Sequence, residues 1–257
     1  MNESREVAIV TGSSRGVGAA TAKLLAKEGF HVVVNYSKSK EEAKETVAAC
    51  EALGAETLLC QADVSQDADC RRMVAEAVKK WGRVDALVNN AGTTKFCGAD
   101  NLEGLTKEDF LNIYSVNLVG PYQMIRAVAP HMKEKGKGVV VNVASIAGVI
   151  AIGSSVAYIA SKGALIAMTK ALARALGPEI RMNAVCPGFI QGKWLRDGMG
   201  NEVYDAVKNH LESTLPLRAT CTPEKVAEAI FFFIHGADLV TGETLLFDGG
   251  QHLGKLM

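Results

Sequence analysis

Long apolar runs, paired cysteines, repeats and any surplus of charge are missing from this sequence, and each absence narrows what it can do. Its 28 basic side chains are matched by 28 acidic ones. A formal net charge of +0 lacks the basic surplus with which general nucleic-acid or anionic-membrane binders hold phosphate. No stretch approaches the ~20 apolar residues that span a bilayer. The first apolar run, Val7–Val10, is far shorter than a signal peptide's core. The six cysteines, at 50, 60, 70, 97, 186 and 221, form no C-x-x-C pair and have no histidine at zinc spacing. They read as free buried thiols, and no metal site is expected. With no linker or low-complexity tract, and 48% apolar residues to fill a core, the expectation is one domain over residues 1–257, soluble and cytoplasmic.

What is present alternates. Val7-Ala8-Ile9-Val10-Thr11 reads as a buried parallel strand. It runs into Gly12-Ser13-Ser14-Arg15-Gly16-Val17-Gly18 and then a helix closed by Gly29. Strand, glycine-rich turn and helix make a phosphate-binding unit, because glycine lets the backbone approach a pyrophosphate while the helix N-terminus offers free N–H groups. Further strands are expected at 31–36, 56–61, 84–88, 139–143, 180–185 and 244–247. Helices are expected at 41–53, 67–80, 106–135, from Tyr158 to 176, and at 223–235. This is an α/β pattern: a Rossmann-type, doubly wound parallel sheet of about seven strands with helices on both faces. Residues 190–222 are rich in polar residues and glycine, with one short helix near 203–212, and read as a substrate lid.

Four positions carry chemistry. Tyr158 and Lys162 are one helical turn apart on one face, where an ammonium is expected to draw the phenol's pKa down from roughly 10 toward the working range. Ser145 follows an apolar β-branched strand, so its hydroxyl lies at the carboxyl edge of the sheet, where such folds bind ligands. Asn117 lies in mid-helix, with Gly120-Pro121 close behind; its cost there is explained by a kink or by a polar role at the site. The helix after Tyr158 is apolar around most of its girth, with Lys162, Lys170 and Arg174 on one stripe, so it is expected to be buried on several sides, including against another subunit. The second strand ends Asn35-Tyr36-Ser37-Lys38 without the carboxylate that NAD-selective folds place there. Arg15 with Ser37 and Lys38 suits a 2′-phosphate, which favours NADP(H) and leaves NAD(H) as the alternative.

Thr11-Gly12-x-x-x-Gly16-x-Gly18, Asp63-Val64, Asn89-Asn90-Ala91-Gly92, Asn117, Ser145, Tyr158-x-x-x-Lys162 and Pro187-Gly188 occur in this order. In these motifs the sequence resembles the short-chain dehydrogenase/reductase family over essentially its whole length. The resemblance implies that Tyr158 is the acid or base and that Ser145 hydrogen-bonds the reacting oxygen. Lys162 would tune the phenol and hold the nicotinamide ribose, and Asn117 would hold a water in a proton relay. It also implies a cofactor cleft lined by Gly12, Ser14, Arg15, Gly16, Val17, Gly18, Asn35, Tyr36, Ser37, Asp63, Val64, Asn90, Ala91, Gly92, Tyr158, Lys162, Pro187, Gly188 and Ile190. One departure stands out: where the family often has a Thr after Pro-Gly-x-Ile, this chain has Gln191-Gly192-Lys193-Trp194. Gln191 or a lid residue then takes over the contact to the nicotinamide amide, or the ring is held less firmly.

Within the family the sequence is most similar to 3-oxoacyl-[acyl-carrier-protein] reductase-type members. That implies an NADP-dependent homotetramer, an acyl-thioester substrate and an acidic acyl carrier protein as a possible partner. Lys133, Lys135 and Lys137 are the candidate basic rim for that partner. The alternatives are a reductase or dehydrogenase of a small ketone, secondary alcohol or sugar, and a non-catalytic dinucleotide-binding sensor.

Overall fold

The computed structural model of the protein describes residues 5–254; the two ends of the expected 1–257 domain lie outside the described residues. Seven parallel strands form one sheet in the order β3-β2-β1-β4-β5-β6-β7. The strands are β1 Val7–Val10, β2 His31–Tyr36, β3 Thr57–Gln61, β4 Ala86–Asn89, β5 Gly138–Val143, β6 Ile180–Pro187 and β7 Thr244–Phe247. The helices are α1 Gly16–Lys27, α2 Lys40–Ala52, α3 Asp67–Trp81, α4 Lys107–Tyr114, α5 Gly120–Lys135, α6 Ala147–Ile150, α7 Val156–Leu176, α8 Lys193–Met199, α9 Asn201–Thr214 and α10 Pro223–His235.

Every residue of β1 and β5 is buried, as runs of Val and Ile must be when helices cover both faces. The pleat splits each strand between two cores. Ala8 and Val10 of β1 face Leu25 of α1, Ala43 of α2 and Ile230 and Phe233 of α10. Ile9 joins Met73 of α3, Met124 and Val128 of α5 and Ala173 of α7. The strand order reverses direction between β1 and β4, and that switch point brings the loops after β1, β4 and β5 to one edge.

Asn35 fixes the edge. Its Oδ1 accepts a hydrogen bond from Gly12 N (2.9 Å), and its Nδ2 donates to Cys60 O (3.3 Å) and Ala62 O (3.0 Å). One buried amide thus joins the turn after β1 to β2 and β3.

Three expectations need correction. The helix expected over 106–135 is interrupted by a π-helical turn, Ser115–Val119, between α4 and α5. Helix α8 is an additional element; a seven-residue segment, Lys-Trp-Leu-Arg-Asp-Gly-Met, bounded by Gly192 and Gly200 carries little helical signal. Finally, α7 is long and apolar enough by composition to cross a membrane. It packs on the sheet instead, fully burying a stripe of Ala157, Ser161, Lys162, Leu165, Thr169 and Ala173, with Ile166, Met168, Leu172 and Leu176 partly buried against the core. Its remaining apolar face is not buried within the chain. Lys170 and Arg174 are exposed, whereas Lys162 is 4% exposed.

Replacing Asn35 by the isosteric Leu would strip partners from one buried N–H and two buried carbonyls. At about 1 kcal/mol for each lost bond, Asn35→Leu is expected to cost about 3 kcal/mol and lower Tm by roughly 6–12 °C in a thermal scan. An unchanged Tm would refute this role.

Candidate active site

The turn after β1 is held open for a ligand by what surrounds it. Gly12 and Gly16 have φ of +61° and +57°, a conformation open to glycine at little cost. A Cβ on Gly18 would lie 2.4 Å from Gly12 O and 2.5 Å from Asn90 Nδ2, so only glycine lets α1 close onto the turn. Asn90 Nδ2 donates to Thr11 O and Gly12 O, and Thr11 Oγ1 accepts from the Asn90 and Ala91 backbone N–H groups. Ser13 Oγ donates to Val10 O and accepts from Asn35 N. Arg15, the residue before α1, gives the helix no side-chain cap, and a Cβ placed on Gly16 would meet nothing within 4 Å. Uncapped first-turn N–H groups beside open space suit the pyrophosphate of a dinucleotide.

At the next edge, Arg15, Ser37, Lys38 and Asp63 are exposed. Arg15 reaches Glu42 at 3.9 Å, so a carboxylate already shares the region expected to receive a 2′-phosphate. Val17, Asn35, Tyr36 and Val64 are buried. Among the expected lining residues, these four belong to the core that backs the cleft.

The chemistry-bearing side chains meet at the carboxyl ends of β4 and β5. Ser145, just past β5, sits close enough to the Tyr158 phenol to lower its pKa, and its Oγ accepts from Ala147 N at 3.1 Å. Lys162 Nζ lies 5.6 Å from the centroid of the Tyr158 ring and donates to Val143 O at 2.8 Å. Asn117 sits in the π-helical turn, fully buried. Its Oδ1 accepts from Thr93 N, and its Nδ2 donates to Thr93 O and Ser161 Oγ. Ser161 Oγ in turn donates to Tyr158 O. A Cβ on Gly92 would come within 3.6 Å of Asn117 Oδ1 and 3.8 Å of Lys162 Nζ, so these groups converge on one point. Gly120 has its own reason: a Cβ there would lie 2.8 Å from Val64 Cγ2.

This geometry agrees with what the chain is similar to. The family model described as Enoyl-(Acyl carrier protein) reductase matches residues 12–252. A granaticin polyketide synthase protein of Streptomyces violaceoruber, named as ketoacyl reductase 2, is 43% identical over 96% of this chain and 96% of its own length. The 3-oxoacyl-[acyl-carrier-protein] reductase of Staphylococcus epidermidis is 36% identical over 98% of this chain and 100% of its own. The chain belongs to the short-chain dehydrogenase/reductase family. Among solved structures, a short-chain dehydrogenase/reductase from Burkholderia xenovorans superposes with a TM-score of 0.91 at 37% identity, covering 98% of this chain and 100% of that one. NAD+-bound xylitol dehydrogenase does so with a TM-score of 0.87 at 27% identity, over 95% and 98%. A short-chain dehydrogenase/reductase is an oxidoreductase working between C=O and CH–OH with a nicotinamide dinucleotide.

The electrostatics depart from expectation. Burial pushes the Tyr158 phenol up to about 12, with Ser145 pulling the other way. The ammonium does not draw it down; burial instead lowers Lys162 itself, from an ordinary 10.5 to about 8. Both shifts have one cause, since removal from water penalises whichever form is charged. Cys186, at the end of β6, is raised to about 11 by burial, opposed by Ser145 and by the charge on Lys162.

Sequence reasoning named Thr11 only as part of the glycine motif, and did not single out Thr93 or Ser161, which orient Asn117, nor Phe96. Trp194 was visible only as part of a departure from the family pattern. Gln191 donates to Glu212 Oε1 and Thr220 Oγ1, so its amide N–H groups are engaged within segment 190–222. The basic cluster is misplaced for a rim. Lys135 pairs with Asp85 near the start of β4, and the cluster precedes β5, whose six residues put ~20 Å between it and Ser145.

Lowering an amine from 10.5 to about 8 costs about 3 kcal/mol at neutral pH, at ~1.4 kcal/mol per pH unit. Lys162→Met removes that cost and leaves Val143 O without its donor, about 1 kcal/mol in the other direction. The variant is therefore expected to melt roughly 4–8 °C higher at pH 7. Between pH 8 and 10.5 the unfolded wild type holds more protons than the folded form, so wild-type stability rises with pH and the gap closes. Tm measured against pH checks both; a variant melting below wild type at pH 7 would overturn the reading.

Proposed function

We propose that this protein is an NADP(H)-dependent carbonyl reductase, with a 3-oxoacyl thioester as its substrate class and Tyr158 as the acid. The observation that carries the proposal is the pairing of two hydroxyls, Ser145 and Tyr158, beside a buried amine in a cleft that opens over an uncapped helix. A carbonyl oxygen being reduced needs a hydrogen bond while negative charge builds and then a proton. Ser145 supplies the first and Tyr158 the second. A phenol near 12 is protonated at neutral pH, which fits the reducing direction. When bound, the nicotinamide supplies the hydride.

Lys162 holds the ribose hydroxyls and steadies the phenolate left after proton transfer. Asn117, locked to Thr93 and Ser161, fixes the π-helical turn as the relay point through which the proton is replaced. Gly12, Gly16 and Gly18 admit the pyrophosphate, Asp63 borders the adenine with Val64 packed behind it, Asn90, Ala91 and Gly92 line the cleft, and Pro187, Gly188 and Ile190 flank the nicotinamide. Arg15 and Ser37 receive the 2′-phosphate, with Glu42 as the competing carboxylate that NADP(H) must displace.

Residues 190–222 form the substrate lid. The uncovered apolar face of α7, together with exposed Val119 at the end of the π-helical turn and Tyr122 at the start of α5, is the interface of a homotetramer, and the protein is cytoplasmic. The names of the relatives support a thioester and, through it, an acyl carrier partner. A reductase of small ketones, secondary alcohols or sugars is the second reading, favoured by the likeness to xylitol dehydrogenase. The family description names enoyl reduction, in which the proton goes to carbon; the hydroxyl pair suits oxygen better.

The test is NADPH and NADH oxidation against a 3-oxoacyl thioester, an enoyl thioester, small ketones and sugars. Tyr158→Phe is expected to lower kcat by roughly 10³-fold while the Kd for NADPH stays within about threefold. Surviving turnover would reassign the acid, and tight cofactor binding with no turnover of any substrate by the wild type would favour a sensor. Arg15→Ala is expected to raise KM for NADPH about tenfold and leave NADH unchanged. Wild-type preference for NADH would remove the 2′-phosphate site.

A further inference from the structure

Helix α8 places an indole beside the candidate acid. The Trp194 ring lies 6.1 Å from the Tyr158 ring, tilted by 45°, and 5.9 Å from Phe96, tilted by 55°. The three rings come from three separate segments: the loop after β4, the first turn of α7, and α8. Their meeting is built into the chain. Gly198 lies one turn beyond Trp194, and a Cβ there would come within 1.9 Å of Phe96 Cε2 and 2.2 Å of Cζ, so α8 can rest on Phe96 only through a glycine. On the other side, Cys97 N donates to Ser154 O at 2.8 Å, and Thr94 Oγ1 bonds Ser154 Oγ at 2.8 Å. The Phe96 loop is thereby fixed to the lead-in of α7. Trp194 nevertheless remains 40% exposed, a large ring with free surface next to the proton donor.

We propose that the carbonyl reduced at this site is borne by a flat unsaturated ring system, and that Trp194 with Phe96 selects it. The proposal rests on the carbonyl-reductase reading and narrows its second substrate class, the small ketones, rather than the acyl thioester. Rings whose centroids lie 4.5–7 Å apart in offset or edge-on contact attract beyond what their buried area provides. A planar ketone reaching Ser145 and Tyr158 enters that range with Trp194. A saturated chain in the same place gains area alone and loses rotamer freedom on being ordered. The selecting residues touch substrate without taking part in proton transfer, so they are separable from Tyr158 by experiment.

The discriminating pair is 2-tetralone and 2-decalone, bicyclic ketones of one skeleton that differ in whether the second ring is aromatic. With NADPH, the wild type is expected to show a kcat/KM about tenfold higher for 2-tetralone. Trp194→Leu brings the ratio toward one, Phe96→Leu lowers it partly, and Trp194→Phe retains most of it, which separates loss of the ring from disturbance of α8. Equal kcat/KM for the two ketones in the wild type, or a ratio that survives Trp194→Leu, would overturn the proposal.

A second readout needs no turnover. The chain has 2 tryptophans. The other, Trp81, stacks on His31 and donates to Glu56, contacts remote from the candidate acid in the fold. In a Trp81→Phe background, 2-tetralone is expected to quench Trp194 fluorescence saturably and more tightly than 2-decalone. Quenching without reduction of any ketone would sustain the ring site and remove the reductase reading. Reduction without ring preference or saturable quenching would do the reverse.

Discussion

An amine buried without a recorded ion pair among the described residues sets the terms for this structure. Lys162 is held by a backbone carbonyl, Val143 O, and burial has already brought it to about 8. A carboxylate in that place would keep the amine charged at lower cost, but it would also occupy it. A carbonyl at the end of β5 leaves most of the ammonium's donors available. The arrangement therefore has to be imposed by the surrounding fold. The imposing elements can be named: a strand buried on both faces, a helix whose inward stripe carries Ser161 and Thr169 as well as Lys162, and an Asn117 side chain that ties that helix to the loop after β4. The same burial raises the phenol, so at neutral pH the phenol keeps its proton while the amine, though lowered, is still protonated.

How much of this is visible in the sequence depends on how far each interaction reaches. The strands are legible because short runs of Val and Ile, bounded by glycine, have few other uses in a buried parallel sheet. The turn after β1 is legible because Gly12 and Gly18 answer local demands of backbone conformation and close approach. Tyr158 and Lys162 are legible as a pair because four residues make one helical turn. The π-helical turn around Asn117 was legible only as a cost. An Asn followed by Gly-Pro reads as a local conflict, and its resolution depends on Thr93 and Ser161, distant in sequence.

Direction and burial are what the sequence conceals. Asn35 and Tyr36 end a strand at the ligand edge, which makes them candidates to face a cofactor. Yet β2 is covered on both faces, and Asn35 spends its amide bracing Gly12, Cys60 and Ala62. The direction in which the tyrosine's pKa shifts departs from the expectation for a related reason. Spacing along a helix reveals that an ammonium is near a phenol, but only packing reveals that both have been taken out of water, and desolvation outweighs their proximity here. The contact of Phe96 with Trp194 is non-local in the same sense, and Gly198 signals it only once the ring above it is known.

These distinctions separate what in the molecule is fixed from what is free to vary. The groups proposed to stabilise the oxygen and transfer the proton sit just past β5 and on α7, inside the sheet's own hydrogen-bonded and close-packed frame, where a change of volume is felt at once. The groups proposed to meet the rest of the substrate sit on α8, a seven-residue helix tied to the rest of segment 190–222, rather than to that frame, through Gln191's bonds to Glu212 and Thr220 and through the Tyr204 hydroxyl, which accepts from Gly192 N. Arg196 reinforces it from within, with its guanidinium 4.0 Å from the Tyr204 ring centroid and paired with Asp205. Such a unit can exchange one side chain for another with little cost to the sheet. Substrate choice can therefore shift at Trp194 while the hydroxyl pair stays as it is, and a rigid aromatic there restricts that choice more than a flexible aliphatic side chain would.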